Sequence, residues 1–239
     1  VNDSNKDIVL ARIKADSDYR QRFAEVFGSA GDTITFGNII KAIATFQRGL
    51  LSFDSKYDRY QQKKAVLSAE ELRGMQLFMG EKAECFHCHG SFNFNDQTNH
   101  LGSPEVNRAF HNTGLYNIDG KGGFPFPNRG LFEFTSLPAD MGAFRASSLR
   151  NIAKTAPYMH DGSIATLEEV LDFYAAGGRN ITSGPHAGDG RLNPYKSDLI
   201  ARINLSAQDK QDIIAFLKTL TDDTLLTNPR FSNPFPAGQ

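Results

Sequence analysis

The sequence of 239 residues lacks tryptophan and contains only two cysteines. It also lacks an excess of either charge, because 26 basic residues balance 27 acidic ones and no basic cluster stands out. Nucleic acid is therefore not an expected partner. No apolar run approaches the roughly 18 residues that a membrane-spanning helix needs, so we expect no membrane span.

The two cysteines stand in the motif Cys85-Phe86-His87-Cys88-His89. This spacing is typical of covalent haem c attachment, because thiols at i and i+3 share one helical face and the next histidine can bind the iron. Two alternatives are weaker. A redox disulfide would need a βαβ context that the neighbouring sequence lacks. A zinc site would need four ligands, and there is no second cysteine pair.

The expected cellular location follows from the same motif. Haem c is attached outside the cytoplasm, and two thiols bound to haem leave none to mispair in an oxidising compartment. No signal peptide is visible, because Val1 opens directly into polar sequence. We therefore expect a periplasmic protein whose signal has been removed.

Helical periodicity and capping residues predict a mainly α fold. Three helices are expected in about the first 52 residues, the third one beginning after Thr35, and their core is too small to stand alone. Further helices should begin at the capping boxes of Ser68 and Thr166 and after Ser206. The stretch 90–165, between the haem motif and the Thr166 capping box, is rich in Gly, Asn, Pro and Phe. This composition favours long irregular loops that wrap a porphyrin.

Within these loops, Phe92, Phe144 and Leu149 are candidates for the apolar wall of the haem pocket. Arg145 and Arg150 are candidates for the haem propionates, because a guanidinium group matches a carboxylate in geometry and charge. The alternative for both arginines is an ordinary surface position.

Several segments, together with the haem motif, resemble one family: the di-haem bacterial cytochrome c peroxidases and their MauG-type relatives. Those that carry the resemblance include Leu10-Ala11-Arg12-Ile13-Lys14-Ala15-Asp16, Phe110-His111-Asn112-Thr113-Gly114-Leu115, Gly142-Ala143-Phe144-Arg145-Ala146-Ser147-Ser148-Leu149-Arg150-Asn151, Thr155-Ala156-Pro157-Tyr158-Met159-His160-Asp161-Gly162, and Thr166-Leu167-Glu168-Glu169-Val170-Leu171-Asp172-Phe173-Tyr174. One departure is Ser147, where the family usually has proline. The larger departure is a single haem motif in place of two.

The resemblance implies a cytochrome c-like haem domain over 66–220. The stretch 221–239 contains three prolines and little helical periodicity, which predicts an extended tail. Residues 1–65 would form a helical segment that packs on, or completes, an N-terminal haem domain. The first haem motif, the bridging tryptophan and the distal glutamate would lie upstream of Val1 or on a sister chain, unless the protein is a reduced monohaem form. No catalytic residue is therefore assigned in this chain.

The second ligand of the haem iron cannot be chosen by residue type alone. Methionine, histidine and tyrosine are all able to bind haem iron, and the candidates are Met75, Met79, Met141, Met159, His100, His111, His160, His186 and Tyr174. The resemblance favours Tyr174, because MauG-type proteins have a tyrosine fourteen residues after the histidine that matches His160. The alternative is that Tyr174 is a core aromatic on its helix.

The resemblance also implies calcium, because the carbonyls of Thr155 and Pro157 match calcium-binding positions between the two haems. The expected function is the C-terminal, electron-relaying haem portion of a MauG-like di-haem peroxidase, which uses peroxide to oxidise a protein partner. Its expected partners are the chain or segment carrying the N-terminal haem domain and a protein electron donor or substrate. The alternatives are a monohaem electron-transfer cytochrome and a haem subunit of a larger redox complex.

Overall fold

The computed structural model describes residues 5–98, 101–102 and 109–234. The chain divides into two compact units, with the boundary between Ser52 and Phe53. Most of the regular structure is helical, so the predicted mainly α fold is confirmed. Among the described residues, none of the helices combines the length and the apolar content needed to cross a bilayer.

The first unit contains three helices, as predicted: α1 (Lys6–Ala15), α2 (Ser17–Phe27) and α3 (Phe36–Gly49). Each of the last two has a side-chain cap, which satisfies backbone amides that the helix itself leaves unpaired. The Asp16 carboxylate accepts from the amides of Asp18 and Tyr19, and the Thr35 hydroxyl accepts from the amide of Asn38. The capping residues thus set where α2 and α3 begin.

The core of the first unit is small. Only Phe23, Ile34 and Ile39 form its buried cluster among the described residues, with Leu10, Ile13 and Phe27 packed around them. Several other apolar side chains of α2 and α3 are exposed, including Val26 at 74%, Ile40 at 52% and Ile43 at 55%. The exposed apolar residues Ile40 and Ile43 define what we call the α3 face.

The second unit contains the remaining elements. These are α4 (Lys56–Gln61), α5 (Ala69–Phe78), α6 (Phe86–His89), α7 (Phe132–Thr135), α8 (Leu167–Ala176), α9 (Ala207–Lys218), α10 (Asp223–Leu226), β1 (Asn180–Ile181), β2 (Gly188–Asp189) and short 3₁₀ turns at Pro138–Asp140, Ile152–Lys154, Gly190–Leu192 and Pro229–Phe231. The two strands are antiparallel, and Asn180 lies opposite Asp189. Between α6 and α8 the chain is mostly irregular, as the composition predicts.

Capping boxes begin the principal helices of the second unit. Ser68, Thr166 and Ser206 each accept from an amide three residues on, and the acidic side chain at that position accepts from the amide of the capping residue. These are the positions at which the sequence predicts helix starts. Ser55 forms a fourth capping box with Asp58, which begins α4.

Helices α5 and α9 pack closely at Gly74, where a β-carbon would lie 1.8 Å from the carbonyl oxygen of Asp212. Below this crossing, Phe78, Phe94 and Phe216 are almost fully buried, and their ring centroids lie 5.3 to 6.2 Å apart. This aromatic cluster anchors the core of the second unit.

The structure places the boundaries differently from the predicted segments 1–65 and 66–220. Residues 53–65 belong to the second unit, because the Tyr57 ring packs edge-on against Phe94 and Phe216. The predicted extended tail, 221–239, contains α10 and the 3₁₀ turn Pro229–Phe231 within its described part. Asp222 orders its start, because the buried carboxylate accepts from the amides of Asp54 and Leu225.

Candidate haem site

The haem motif forms the short helix α6, which is a single turn. The amide of His89 donates to the carbonyl of Cys85 over 3.0 Å, so Cys85 and Cys88 lie on one side of the turn. Both thiols are free, and both line a cavity of about 540 Å³ in the second unit. Two thiols facing one cavity are the arrangement that two thioether bonds to a single porphyrin require.

The ring of His89 is oriented by a backbone carbonyl. Its Nδ1 lies 2.9 Å from the carbonyl oxygen of Phe94, and because a carbonyl only accepts, Nδ1 must carry the proton. Nε2 then keeps its lone pair, which is the form that binds a metal. Burial lowers the pKa of His89, which further favours the neutral ring. His89 also lines the cavity.

Tyr174, on α8, lines the same cavity as the haem motif. Burial raises the pKa of its phenol well above the ordinary value, so the side chain on its own stays protonated. Only a nearby cation would stabilise the phenolate there, and a ferric iron supplies such a charge. The position and burial of Tyr174 therefore fit an iron ligand.

The predicted wall residues divide into two groups. Phe144 and Leu149 line the cavity, but Phe92 does not: it is 52% exposed, and its ring stacks near that of Phe53 at 6.3 Å. One group of wall residues not predicted for the haem pocket comes from the segment before α9 and from α9 itself. They are Leu199, Ile200, Ala201, Ile203, Leu205, Ile213 and Leu217. The apolar pattern of 199–205 was the available signal in the sequence.

The two candidate propionate partners also differ. Arg145 lines the cavity and is exposed, with its guanidinium group 5.2 Å from the Phe110 ring centroid, so it can serve a carboxylate at the cavity edge. Arg150 is not among the lining residues and is bound instead by the Asp58 carboxylate. The expectation of a propionate contact is therefore revised for Arg150, because a buried carboxylate already neutralises it.

The other candidate axial ligands are scattered. Of those that the structure describes, only Met159, His111 and His160 line the cavity, and His160 stacks on the Phe144 ring at 3.8 Å. Met75, Met79 and Met141 pack against the core without lining the cavity, and His186 lies edge-on to Tyr116. His100 lies outside the described residues.

His111 interacts with Asp96 through its Nε2 at 2.5 Å. The Cys88 sulfur and the Asp96 carboxylate raise the pKa of His111 to about 9. Cys88, Asp96 and His111 lie close enough to share a metal ion, but Cys85 is not part of this group. Among the described residues, the two cysteines therefore do not join in one four-ligand zinc site, and the haem interpretation fits them better.

Thr155 and Pro157, the residues expected at calcium, both line the cavity. Two carbonyl oxygens fall short of the six or more that calcium takes. These two residues do not form a calcium site by themselves.

A family profile described as "Di-haem cytochrome c peroxidase" matches residues 1–66. The cytochrome-c peroxidase IdrP1 of Pseudomonas sp. strain SCT is 36% identical over 251 residues, covering 96% of this chain and 62% of the relative. The methylamine utilization protein MauG of Methylorubrum extorquens is 34% identical, covering 90% of this chain and 52% of the relative. The chain thus spans between half and two thirds of the length of these curated relatives.

The solved structures show the same similarity. A MauG-like protein associated with microbial copper homeostasis is 58% identical with a TM-score of 0.90, covering 99% of this chain and 67% of that one. The diheme peroxidase BthA from Burkholderia thailandensis shares the fold at 20% identity, with a TM-score of 0.61, covering 96% of this chain and 60% of that one.

Proposed function

Because the chain belongs to the family of di-haem cytochrome c peroxidases and MauG, we propose that it forms the C-terminal, electron-relaying haem c portion of a MauG-like di-haem peroxidase. One observation carries this proposal. Cys85, Cys88, His89 and Tyr174 line a single cavity, together with apolar side chains from α8 and α9. That set supplies two thioether positions and two iron ligands of the kinds that haem c uses.

When bound, the haem supplies an iron that gains or loses one electron at a time. The two cysteines would hold the porphyrin covalently, and His89 would bind the iron through Nε2. Tyr174 would stabilise the oxidised state, because a phenolate favours ferric over ferrous iron. Arg145 would bind a propionate at the cavity edge.

The relay role follows from the number of protein ligands. With both His89 and Tyr174 bound, the iron of this site keeps no position for peroxide. Hydrogen peroxide would therefore be reduced at a second haem, carried by the N-terminal haem domain, while this site passes electrons between that haem and a protein donor or substrate. The family is described as di-haem, which supports a second haem as the partner of this site.

The α3 face is the proposed docking surface for that domain. Exposed apolar residues on one helix are typical of a binding surface. Ile40→Glu and Ile43→Glu should each abolish binding of the N-terminal haem domain in solution, whereas Lys41→Glu, an exposed polar position on the same helix, should retain it. Equal binding by all three variants would remove the α3 face from the proposal.

The enzymatic part of the proposal is tested by peroxide turnover. The haem-loaded chain alone should turn over peroxide slowly, and addition of the N-terminal haem domain should raise the rate. Fast turnover by the chain alone would mean that its haem has an open coordination position, which would contradict both Tyr174 ligation and the relay role.

The alternative function is a monohaem electron-transfer cytochrome or a haem subunit of a larger redox complex. The single Cys-x-x-Cys-His motif in this chain favours it. A haem count and mass spectrum of the purified native complex separate the two functions. A second haem-bearing domain supports the peroxidase, whereas one haem in the whole assembly supports the simple carrier.

The proposal includes a periplasmic location, because haem c is attached outside the cytoplasm. It also includes calcium at Thr155 and Pro157, with the remaining ligands coming from the N-terminal haem domain. The 58% identity to a MauG-like protein associated with microbial copper homeostasis supports a similar physiological setting. Transcript levels at low and high copper test that setting, and equal levels would count against it.

A further inference from the structure

Arg150 and Asp58 form a buried ion pair that nothing in the proposed function uses. The guanidinium Nη1 donates to Asp58 Oδ2 over 2.9 Å and Nη2 donates to Oδ1 over 3.0 Å. The side chains are only 8% and 11% exposed. We propose that this ion pair positions His89, by holding the loop whose carbonyl orients the His89 ring.

Arg150 contacts that loop, residues 91–95, at two points. Besides binding Asp58, Nη2 donates to the carbonyl of Phe92 over 2.8 Å. The guanidinium group also lies 5.8 Å from the Phe94 ring centroid and 4.4 Å from that of Phe53. Arg150 therefore touches both ends of the Phe92–Phe94 segment, one through a hydrogen bond and the other through a ring face.

Phe94 has an unusual backbone conformation. Its φ is +51°, a left-handed backbone conformation that residues with a β-carbon rarely adopt without support from their surroundings. The amide of Phe94 donates to the Ser91 carbonyl over 2.8 Å, and the Phe94 carbonyl also accepts from the Leu149 amide over 3.3 Å. The Phe94 carbonyl thus points at His89 because the loop holds an unusual conformation.

The charges of Arg150 and Asp58 compensate each other in a buried site. Removing either partner leaves an uncompensated charge in a nearly dry site, which costs more than the loss of a surface ion pair. The guanidinium Nε is buried without a hydrogen-bond partner, so the two Nη groups make all of its described polar contacts. Lysine cannot reproduce two parallel bonds to Asp58 together with a third to Phe92.

The consequence for the haem follows from the Nδ1 hydrogen bond. When the ring nitrogen of a ligating histidine that does not bind the metal donates a hydrogen bond, the acceptor fixes the orientation of the ring. It also makes the other ring nitrogen a stronger ligand to the metal. A loosened 91–95 loop should lengthen the bond from His89 to Phe94, weaken the iron–histidine bond and favour the reduced iron. This inference rests on the haem ligation proposed above.

The experiment compares Arg150→Lys and Asp58→Asn with the unaltered chain, all haem-loaded and in a Tyr174→Phe background that leaves His89 as the protein ligand. We expect the iron–histidine stretching frequency of the reduced protein, measured by resonance Raman spectroscopy, to fall in both variants. The midpoint potential should rise in both. Neither change is expected from a loss of stability alone.

The chain offers a control in the ion pair of Arg73 and Asp212, in which Asp212 is buried and Arg73 is half exposed. Its guanidinium group also binds the carboxylate through two bonds, of 2.8 and 3.0 Å, within the second unit. Arg73→Lys and Asp212→Asn should lower the midpoint of thermal unfolding while leaving the stretching frequency and the potential unchanged. Equal shifts in both pairs, or no shift in the Arg150 and Asp58 variants, would overturn the proposal.

Two further measurements keep the outcomes distinct. Denaturing mass spectrometry reports whether haem is attached, so a chain without the haem mass contradicts the proposed function and not the role of Arg150. Where Arg150→Lys fails to fold, Ser148→Ala takes its place, because the Ser148 hydroxyl donates to the Asn93 carbonyl of the same loop over 2.7 Å. An unchanged frequency in both Asp58→Asn and Ser148→Ala would equally overturn the proposal.

Discussion

The two units are built from similar helices but differ in what those helices bury. In the second unit, α5, α8 and α9 bury one face each around an aromatic cluster and a cavity. In the first, α2 and α3 bury only a small cluster and leave the α3 face exposed. Good capping is present in both units. Caps therefore determine where helices start, whereas the size of the core determines which unit can support itself.

The largest expected effect is the loss of the haem from the second unit. Cys85→Ala combined with Cys88→Ala removes both attachment points, so denaturing mass spectrometry should show no haem on the chain. Amide exchange should become faster in α8 and α9, because a ligand that binds only the folded state stabilises it, and stay unchanged in α2. His87→Ala, an exposed position within the motif, is the control and should keep its haem. A haem mass on the double variant would contradict the attachment site.

Tyr174→Phe should have the next largest effect, because it removes one proposed iron ligand. The ferric absorption spectrum should shift towards the high-spin form. Tyr158→Phe is the matched control: it lines the same cavity, and its hydroxyl is bound to the Ile152 carbonyl at 3.1 Å. If the two variants give the same spectrum as the unaltered protein, Met159 becomes the better candidate ligand.

Three isoleucine-to-alanine variants sharpen the comparison of the two cores. Ile214 on α9 is 5% exposed, so Ile214→Ala should lower the free energy of unfolding, measured by denaturant titration, by about 2–5 kcal/mol. Ile43, 55% exposed on α3, should cost less than about 0.5 kcal/mol. Ile39, 8% exposed in the small cluster, should fall between them. A cost for Ile43→Ala as large as that for Ile214→Ala would show that the α3 face is covered in the isolated chain.

The smallest expected effect concerns acid stability. Lys82, at 2.7 Å, and Ser206 lower the pKa of Asp209 to about 2. Because the unfolded pKa is about 3.9, the stabilisation is present above about pH 4 and lost as the pH falls towards 2. Asp209→Asn should lower the unfolding free energy by about 1 kcal/mol at neutral pH, and this difference should vanish near pH 2.

The first unit supplies the comparison for this acid effect. Asp32 pairs with Lys14, which lowers the pKa of Asp32, but both side chains are more exposed than Asp209. Asp32→Asn should therefore change stability less than Asp209→Asn at neutral pH, as measured by thermal unfolding. A larger effect of Asp32→Asn would contradict the expectation that the more buried ion pair, in the second unit, contributes more to stability.

Local signals made the helices predictable. Asp16, Thr35, Ser68, Thr166 and Ser206 each lie within three residues of the amides that they cap, so the sequence alone contains the interaction. The haem motif is equally local. It predicts that two thiols and a histidine face one site, and the structure places all three on the cavity.

Long-range partners could not be predicted in the same way. The sequence shows that Arg150 is an arginine in an irregular loop, but its partner Asp58 lies 92 residues earlier. That pair and the packing of Tyr57 also explain why 53–65 belongs to the second unit, although the sequence predicts that it groups with the first three helices in the segment 1–65. The start of the tail is ordered through Asp222, whose carboxylate accepts from the Asp54 amide, 168 residues earlier in the chain.

The contact at Gly74 also limits how this gene can change. Every missense mutation of a glycine codon adds a β-carbon, whichever amino acid results. At codon 74 that atom would lie 1.8 Å from the Asp212 carbonyl oxygen, so α5 and α9 would have to move apart at the core of the second unit. We expect functional copies of the gene to accumulate only synonymous substitutions at this codon. A missense allele there would mark a copy that selection no longer maintains.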